Sequence, residues 1–562
     1  MAQKALGIRD LGRWIGLILA PDAAFLKLAL VYGIAISLLS LATPISVQLL
    51  INSVANTALS APLFWLAAVL LVLLLLVGML SAFRIHLMAR FERRLFARIV
   101  AEITLRAVHA QNPFFADARR GDLFNRYFDL MTVQKALPSL LIGSFTILLQ
   151  GVVGLVVTSF YHPFFLAFNG VLVVLLFLVW QIWSGGAIRT AVAKSHAKHA
   201  AAHWLESVGG SNGFYQSARH LNYAIDRSEL MTAHYVRAHK NHFRYTFSQT
   251  VCLLVIYALA SAVLLALGGW LIIQGQLSIG QLVAAELILS SVFYGIAQFG
   301  PYLEALYDLA AGLEELSLFW DIRQEAPRGD GRAPSDGTIR LKSVEHGEHR
   351  FDFAIESGEQ VALVAEPGVE RKLILLLKRH ELPERGLVVV GGSDIGAFDI
   401  FRLRAEVRVL DRPTFVEMSI RDYLDLAAGS EPADIVDALD TVGLGQRTAS
   451  LPDGIDAQIS TSGWPLSVGE LMALKLAAAL IARPRVLVLS PLFDLLPTER
   501  VDAALARLRA CGTTVLQFTR RPVGLERDRY VWVGKREQQT CASAVELIAR
   551  ARGEGETNAL PA

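Results

Sequence analysis

Six apolar stretches, each long enough to cross the roughly 30 Å hydrocarbon core of a bilayer as a helix, fill the first 310 residues of the chain. They lie at 25–51, 62–85, 136–160, 163–184, 247–273 and 280–303. In lipid every backbone polar group must be satisfied within the protein, so these stretches confine this half of the chain to a bundle of membrane helices. The joins are of two kinds. Asn52 to Ala61, the few residues around Tyr161 and Pro163, and Gln274 to Ile279 carry neither Lys nor Arg. The connection 86–135 holds Arg90, Arg93, Arg94, Arg98, Arg106, Arg119, Arg120, Arg126 and Lys135, and 185–246 holds Arg189, Lys194, Lys198, Arg219, Arg227, Arg237, Lys240 and Arg244. The positive-inside rule then places both long loops, the N-terminus and the whole C-terminal part in the cytoplasm. Lys4, Arg9 and Arg13 precede the first apolar run. That run is too long for a signal peptide and lacks a small-residue cleavage site, so it reads as a retained first helix.

Composition supports an integral membrane protein. With 53% hydrophobic residues, 19% charged residues and a mean hydropathy of +0.43, the chain is too apolar for a soluble enzyme. The 53 Lys and Arg against 51 Asp and Glu leave a net charge of +2, which gives no basic excess to attract nucleic acid. Cys252, Cys511 and Cys541 have neither metal-ligand nor disulfide spacing, and a reducing compartment suits the two in the polar C-terminal part.

After the sixth stretch, Leu303, Leu306, Leu309, Leu313 and Leu316 keep a helical period, which the Pro/Gly/Asp-rich run from Glu325 to Asp336 ends. Short β-branched runs then alternate with helical stretches: Val361–Val364, Gly386–Val390, Val407–Leu410, Val486–Leu489 and Thr514–Phe518. This texture predicts an α/β domain with a largely parallel core sheet. The expected organisation is a cytoplasmic segment 1–24, a membrane domain 25–324, a linker 325–337, an α/β domain 338–552 and a tail 553–562.

Polar residues in the membrane part suggest sites of their own. Glu286 lies inside the sixth stretch, where a carboxylate must face a cavity, a partner or, by snorkelling, the nearby interface; a substrate path is one use for it. Gln48, Asn52, Gln150, Asn169, Gln181, Gln249 and Gln298 either line such a path or hydrogen-bond between helices. His196, His199 and His203 recur at helical spacing, and with no acidic or cysteine ligand beside them in sequence they read as a solvated helix face rather than a metal site.

Several landmarks then point in one direction. Phe114-Phe115 is followed by Gly121-Asp122-Leu123-Phe124-Asn125-Arg126; Gly358 to Val364 precedes a loop; Ala449 to Asp456 precedes Leu466-Ser467-Val468-Gly469-Glu470; and Ala482-Arg-Pro-Arg leads into the apolar run Val486 to Leu489. In this order and spacing, over residues 25 to 545, the chain resembles one half of an ABC exporter of the type I secretion and peptide-export kind. The resemblance implies a six-helix exporter domain followed by a P-loop-NTPase-like ABC nucleotide-binding domain. It also implies an interdomain coupling role for Phe114, Phe115, Gly121, Asp122 and Arg126, and a signature stretch at Leu466 to Glu470.

By the same resemblance, the chemistry of the nucleotide site is altered. A phosphate loop wraps phosphates with successive backbone N–H groups, neutralises them with a lysine and holds magnesium with a hydroxyl. The matching stretch here is Ala365-Glu366-Pro367-Gly368-Val369-Glu370-Arg371-Lys372, with one glycine. Glu370 puts a carboxylate where a polyphosphate lies, and at about 4 Å two like charges repel by several kcal/mol in a partly dry site. Arg371 stands for the lysine and Lys372 for the hydroxyl. Ser490-Pro491 replaces the two Walker B acids, Asp411 the magnesium-contacting glutamine, Arg520 the γ-phosphate-sensing histidine and Pro497 the coupling aspartate. The strand Val344 to Arg350 offers no adenine-stacking aromatic, only His346 and His349.

Ser467 and Gly469 persist in the signature, which either completes a partner's ATP site or serves only as a helix cap, Ser467 with Glu470 forming a capping box. The expected protein is a catalytically degenerate half-exporter in the bacterial inner membrane. It binds no cofactor or metal of its own, and it pairs with an ATPase-competent ABC half-transporter that carries MgATP and moves a peptide, protein or other amphipathic substrate. Secretion-complex proteins are further candidate partners. The alternatives are a non-transporting regulatory or scaffold protein reusing the fold, and a weak homodimeric ATP-driven exporter.

Overall fold

The computed structural model describes residues 12–13, 15–16, 18, 20–57, 61–111, 121–325, 332–428 and 432–552. Two units make up the chain, 1–324 and 325–562. Phe114 and Phe115, residues 326–331 of the expected linker and the tail lie outside the described residues.

The first unit is helical, and among its described residues six helical spans are long and apolar enough to cross a membrane. In chain order its helices are α1 (Ala23–Ser40), α2 (Ala42–Thr57), α3 (Ala61–Val108), α4 (Asp129–Pro138), α5 (Phe145–Ser159), α6 (Pro163–Gly210), α7 (Ala218–Ile273), α8 (Ile279–Ala297) and α9 (Gly300–Trp320). A 3₁₀ segment, Gly121–Phe128, precedes α4, and a π-helical stretch, Ser139–Ser144, joins α4 to α5. Trp65, Val72, Leu75 and Phe177 are exposed, as side chains that face lipid should be.

Three helices run far beyond the apolar windows: α3 and α6 have 48 residues each and α7 has 56. Two expected crossings are not single helices. The stretch 25–51 divides between α1 and α2, and 280–303 divides between α8 and α9. Proline lacks an N–H, and its ring opposes the carbonyl four residues back. Pro44 faces the carbonyl of Ser40, where α1 ends, and Pro301 faces that of Ala297, where α8 ends.

Close packing rests on small residues. A Cβ on Gly154 in α5 would meet Ile288 at 2.9 Å and Val292 at 3.0 Å, so its absence lets α5 lie directly on α8. One core gathers Phe165, Leu172, Leu264, Phe293 and Tyr307, and another Met88, Phe91, Leu95, Leu313 and Phe319.

Among its described residues the second unit contains twelve strands: β1 (Ile339–His346), β2 (His349–Ile355), β3 (Gln360–Ala365), β4 (Arg385–Val390), β5 (Ser393–Asp394), β6 (Val407–Leu410), β7 (Met418–Ser419), β8 (Gln458–Ile459), β9 (Val486–Leu489), β10 (Thr514–Phe518), β11 (Arg529–Val533) and β12 (Gln538–Cys541). The main sheet has the order β12-β11-β3-β10-β9-β6, parallel except for β12. Its interior strand β9 is apolar and wholly buried along its length, as a parallel strand covered on both faces requires. The run 386–390 departs from expectation: as β4 it joins the antiparallel sheet β2-β1-β4-β5. The helices that matter below are α10 (Val369–Leu377), α11 (Val468–Ala482) and α12 (Thr498–Ala510).

Candidate functional site

Strand β3 delivers the chain into the loop Ala365 to Gly368 and then into α10. Gly368 caps that helix with φ +89°, a left-handed conformation that suits glycine, and a Cβ added there would meet nothing within 4 Å. The loop's side chains are turned to other uses. Glu366 Oε2 accepts from the Lys535 amide at 3.1 Å, Val369 is fully buried and Arg371 is exposed. Lys372 Nζ donates to Glu381 Oε2 at 2.8 Å, the same oxygen that meets His346 Nε2 at 2.8 Å. Burial pushes the Glu381 carboxyl up, but Lys372 and His346 outweigh it and hold the group below the ordinary glutamate range.

Three of the predicted positions converge. Burial raises the pKa of Glu370, the charge of Asp411 raises it further, and Arg520 acts in the opposite direction. Asp411 and Arg520 thus both lie within electrostatic reach of Glu370, and the three positions present two carboxylates and one exposed arginine. At the end of β9, Ser490 caps a 3₁₀ turn that Pro491 opens, its Oγ accepting from the Leu492 amide at 3.4 Å. The first carboxylate after β9 is Asp494. It accepts from Thr519 Oγ1 and from the Arg520 amide, each at 2.8 Å, and so ties the turn to the end of β10. A magnesium triphosphate needs a cation at the loop, an oxygen ligand beside it and a carboxylate at the strand end. The side chains present do not fit it.

The signature position has a defined local role. Ser467 Oγ accepts from the Glu470 amide at 3.3 Å and Glu470 Oε2 accepts from the Ser467 amide at 2.8 Å, a capping box that starts α11. Arg447 Nε adds an ion pair to Glu470 at 3.0 Å. Leu466 is buried, Val468 is exposed and Gly469 is partly buried.

In the membrane unit, an apolar cavity of about 500 Å³ lies among Leu140, Leu148, Phe177, Trp180, Gln249 and Tyr302. Gln249 lines it while accepting from Tyr307 at 2.8 Å. Glu286 is exposed and does not line it. Two of the other polar candidates join helices: Asn169 donates to Leu155 O, Thr158 Oγ1 and Ser159 Oγ across the α5–α6 pair, and Gln48 accepts from Tyr161 at 3.0 Å. Sequence reasoning passed over Arg84, a buried cation near the end of an apolar stretch that donates to Thr146 Oγ1 at 2.6 Å.

The largest departure concerns the histidines. His203 is exposed, as expected of a solvated face, but His199 is buried, with Nε2 2.6 Å from Asp129 Oδ2, and His196 Nε2 lies 2.9 Å from Glu314 Oε2. Arg126, one of the predicted coupling residues, forms an ion pair with the fully buried Glu315. Lys198 Nζ reaches Asp129 Oδ1 at 2.5 Å. The acids that accompany the histidines come from α4 and α9, more than a hundred residues away for the latter, so proximity in sequence could not reveal them. The glutamate pair inside the leucine-periodic run 303–316 was the available sign.

Comparison with known proteins places these features. Residues 26–296 match the family of the ABC transporter transmembrane region. The chain is 25% identical over 345 residues, 58% of each chain, to the uncharacterized ABC transporter ATP-binding protein YwjA of Bacillus subtilis, so it spans less than two thirds of that relative. It is 24% identical over 542 residues to the cyclolysin secretion/processing ATP-binding protein CyaB of Bordetella pertussis, covering 92% of this chain and 75% of that one. To the leukotoxin translocation ATP-binding protein LktB of Mannheimia haemolytica it is 22% identical over 548 residues, covering 93% and 76%. The fold is similar to that of a bacterial Atm1-family ABC exporter solved with ATP bound, with a TM-score of 0.77 at 18% identity over 97% of this chain and 99% of the other.

Proposed function

This chain belongs to the ABC exporter family, and from that premise we propose that it is the non-hydrolysing half of a heterodimeric exporter, paired with an ATPase-competent half-transporter. The observation that carries this is the constellation around Glu370. A half-buried carboxylate lies within electrostatic reach of Asp411 where phosphates would lie, and Lys372 is held by Glu381. At the end of β9, Ser490-Pro491 stands where two acids would act, and Asp494 is engaged by Thr519 and Arg520. Losing the loop cation, the metal oxygen and the strand-end acids together removes the groups that position and stabilise phosphoryl transfer. A homodimer would repeat the deficiency twice, so the energy must come from a different subunit.

The distribution of Arg and Lys supports an orientation with both termini in the cytoplasm, and with it residence in a bacterial inner membrane. The toxin-secreting relatives support a peptide, protein or other amphipathic substrate. The test is equilibrium binding of a fluorescent ATP analogue with magnesium to the purified full-length chain, alone and together with a co-purifying half-transporter. No binding alone and binding with the partner is the expected result. Micromolar binding by the chain alone overturns the proposal.

A further inference from the structure

The cytoplasmic side of the helical unit contains a buried group of donors that the exporter reading does not use. Asp129 at the start of α4, His199 in α6 and Glu315 in α9 are all buried, and one potential ligand atom from each lies within 4.8 Å of the other two. Each carboxylate has one oxygen held by a cation, and Asp129 Oδ2 also accepts from Ser195 Oγ at 3.4 Å. Lys198 holds Oδ1 of Asp129 at 2.5 Å, and Arg126 holds Oε2 of Glu315. The remaining oxygens, Asp129 Oδ2 and Glu315 Oε1, turn toward the same ring nitrogen, His199 Nε2, at 2.6 and 4.0 Å. Glu315 is fully buried, and its Oε1 has no hydrogen-bond partner. A buried carboxylate oxygen without a donor is costly, and it is relieved by a proton or by a cation.

We propose that Asp129, His199 and Glu315 bind a divalent transition-metal ion, zinc or a close relative, with His196 and Glu314 flanking it. Ligands at about 2.1 Å from one ion stand roughly 3 to 3.5 Å apart. The 4.0 Å separation of Glu315 Oε1 from His199 Nε2 needs only a small contraction, and the 2.6 Å contact to Asp129 opens by under about 1 Å as the ion replaces the shared proton. His196 Nε2, already 3.6 Å from Glu315 Oε1 and fixed by Glu314, borders the same pocket. Two carboxylates neutralise the ion's charge, and an imidazole favours zinc, iron(II) or nickel over magnesium, calcium and manganese, which suit oxygen ligands. Arg126 and Lys198 serve as the outer partners that orient ligating carboxylates.

The ligands come from three helices. A bound ion therefore pins the extensions of α6 and α9 to the first residue of α4, directly after the Gly121–Phe128 segment that carries Arg126. The site acts as a staple in the part of the membrane unit where the family resemblance places interdomain coupling, and it does so whether or not this chain binds nucleotide.

The test uses the full-length chain in detergent, purified without a histidine tag and stripped with a chelator. Titration with cobalt(II) should give visible d–d absorption saturating at one ion per chain, displaced by zinc, with zinc retention confirmed by elemental analysis. His199→Ala and Glu315→Gln should each weaken binding at least tenfold, whereas His203→Ala, on the exposed face, should leave it unchanged. If the alanine variant does not fold, His199→Gln and the wild-type titration decide the matter. Failure of the wild-type chain to bind cobalt, or equal binding by the His199 variants, overturns the proposal and leaves the cluster a network of ion pairs and protonated carboxyls.

Discussion

Lys372 and Glu381 form an ion pair at 2.8 Å, which draws the ammonium in the first turn of α10 onto a carboxylate just beyond that helix. The same carboxylate oxygen receives His346. A cation engaged in this way is not available to a phosphate, and its position in the helix is the one where a magnesium-binding hydroxyl would be needed.

The first prediction concerns reversion. The triple change Glu370→Gly, Arg371→Lys and Lys372→Ser restores the donor set of the loop on a backbone that already has its left-handed Gly368. It should confer measurable MgATP binding in an equilibrium assay with hydrolysis still at background. Phosphate release above background should require Ser490→Asp and Pro491→Glu in addition. Hydrolysis by the triple variant, or by the wild-type chain, would contradict the assignment of roles.

A second prediction follows from His380. Burial pushes its imidazole down to about 4, and Arg404 adds to the effect, with Glu325 opposing it. In the unfolded chain the same group titrates at about 6.5, so the unfolded state binds its proton first as pH falls. The stability contributed by keeping His380 neutral is complete above about pH 6.5 and declines between there and pH 4, by about 3 kcal/mol at most. Thermal unfolding of the full chain from pH 7 to 4.5 should show a steeper loss for wild type than for His380→Gln. Parallel profiles would refute it.

Arg126 and Glu315 supply the third prediction. Glu315 has no exposure and Arg126 little, so Arg126→Ala leaves a buried charge without its partner, which destabilises by roughly 3–5 kcal/mol where it occurs. Arg126→Ala should sharply lower the thermal midpoint and the yield of monodisperse protein. Adding Glu315→Gln to it should recover part of the loss, because the second change removes the stranded charge. A strictly additive double variant would show that the pair is uncoupled.

Hydropathy and charge were enough to locate six crossings and the two long connections, because length and apolarity are what a bilayer demands of a helix. The strands 361–364 and 486–489 were legible for a related reason: parallel strands buried on both faces must be continuous apolar runs, while 407–410 and 514–518 were legible from their β-branched and apolar residues despite Arg408 and Gln517. Hydropathy is blind to helix breaks, so α1–α2 and α8–α9 each read as one crossing even though Pro44 and Pro301 marked the places. The misreading of His196 and His199 has another origin. Ligands and counter-charges are assembled by tertiary packing, and Asp129, Glu314 and Glu315 reach the histidines only once α4, α6 and α9 are side by side. Within the phosphate loop the altered residue types were visible directly, but the new partners of Lys372 and Asp494 were not.

The uneven distribution of breaks among the helices has a mechanical consequence. At a rise of about 1.5 Å per residue, α3 and α6 are rods of about 70 Å and α7 one of about 85 Å, hydrogen-bonded from end to end. A rod of this kind carries a displacement applied at one tip to the other almost undiminished. The two proline-broken spans are compliant joints by comparison, one between α1 and α2 and one between α8 and α9. A push on the polar ends of the long helices therefore arrives in the membrane as levered motion of α3, α6 and α7, with Ser40–Pro44 and Ala297–Pro301 as the knuckles about which the rest of the bundle gives way.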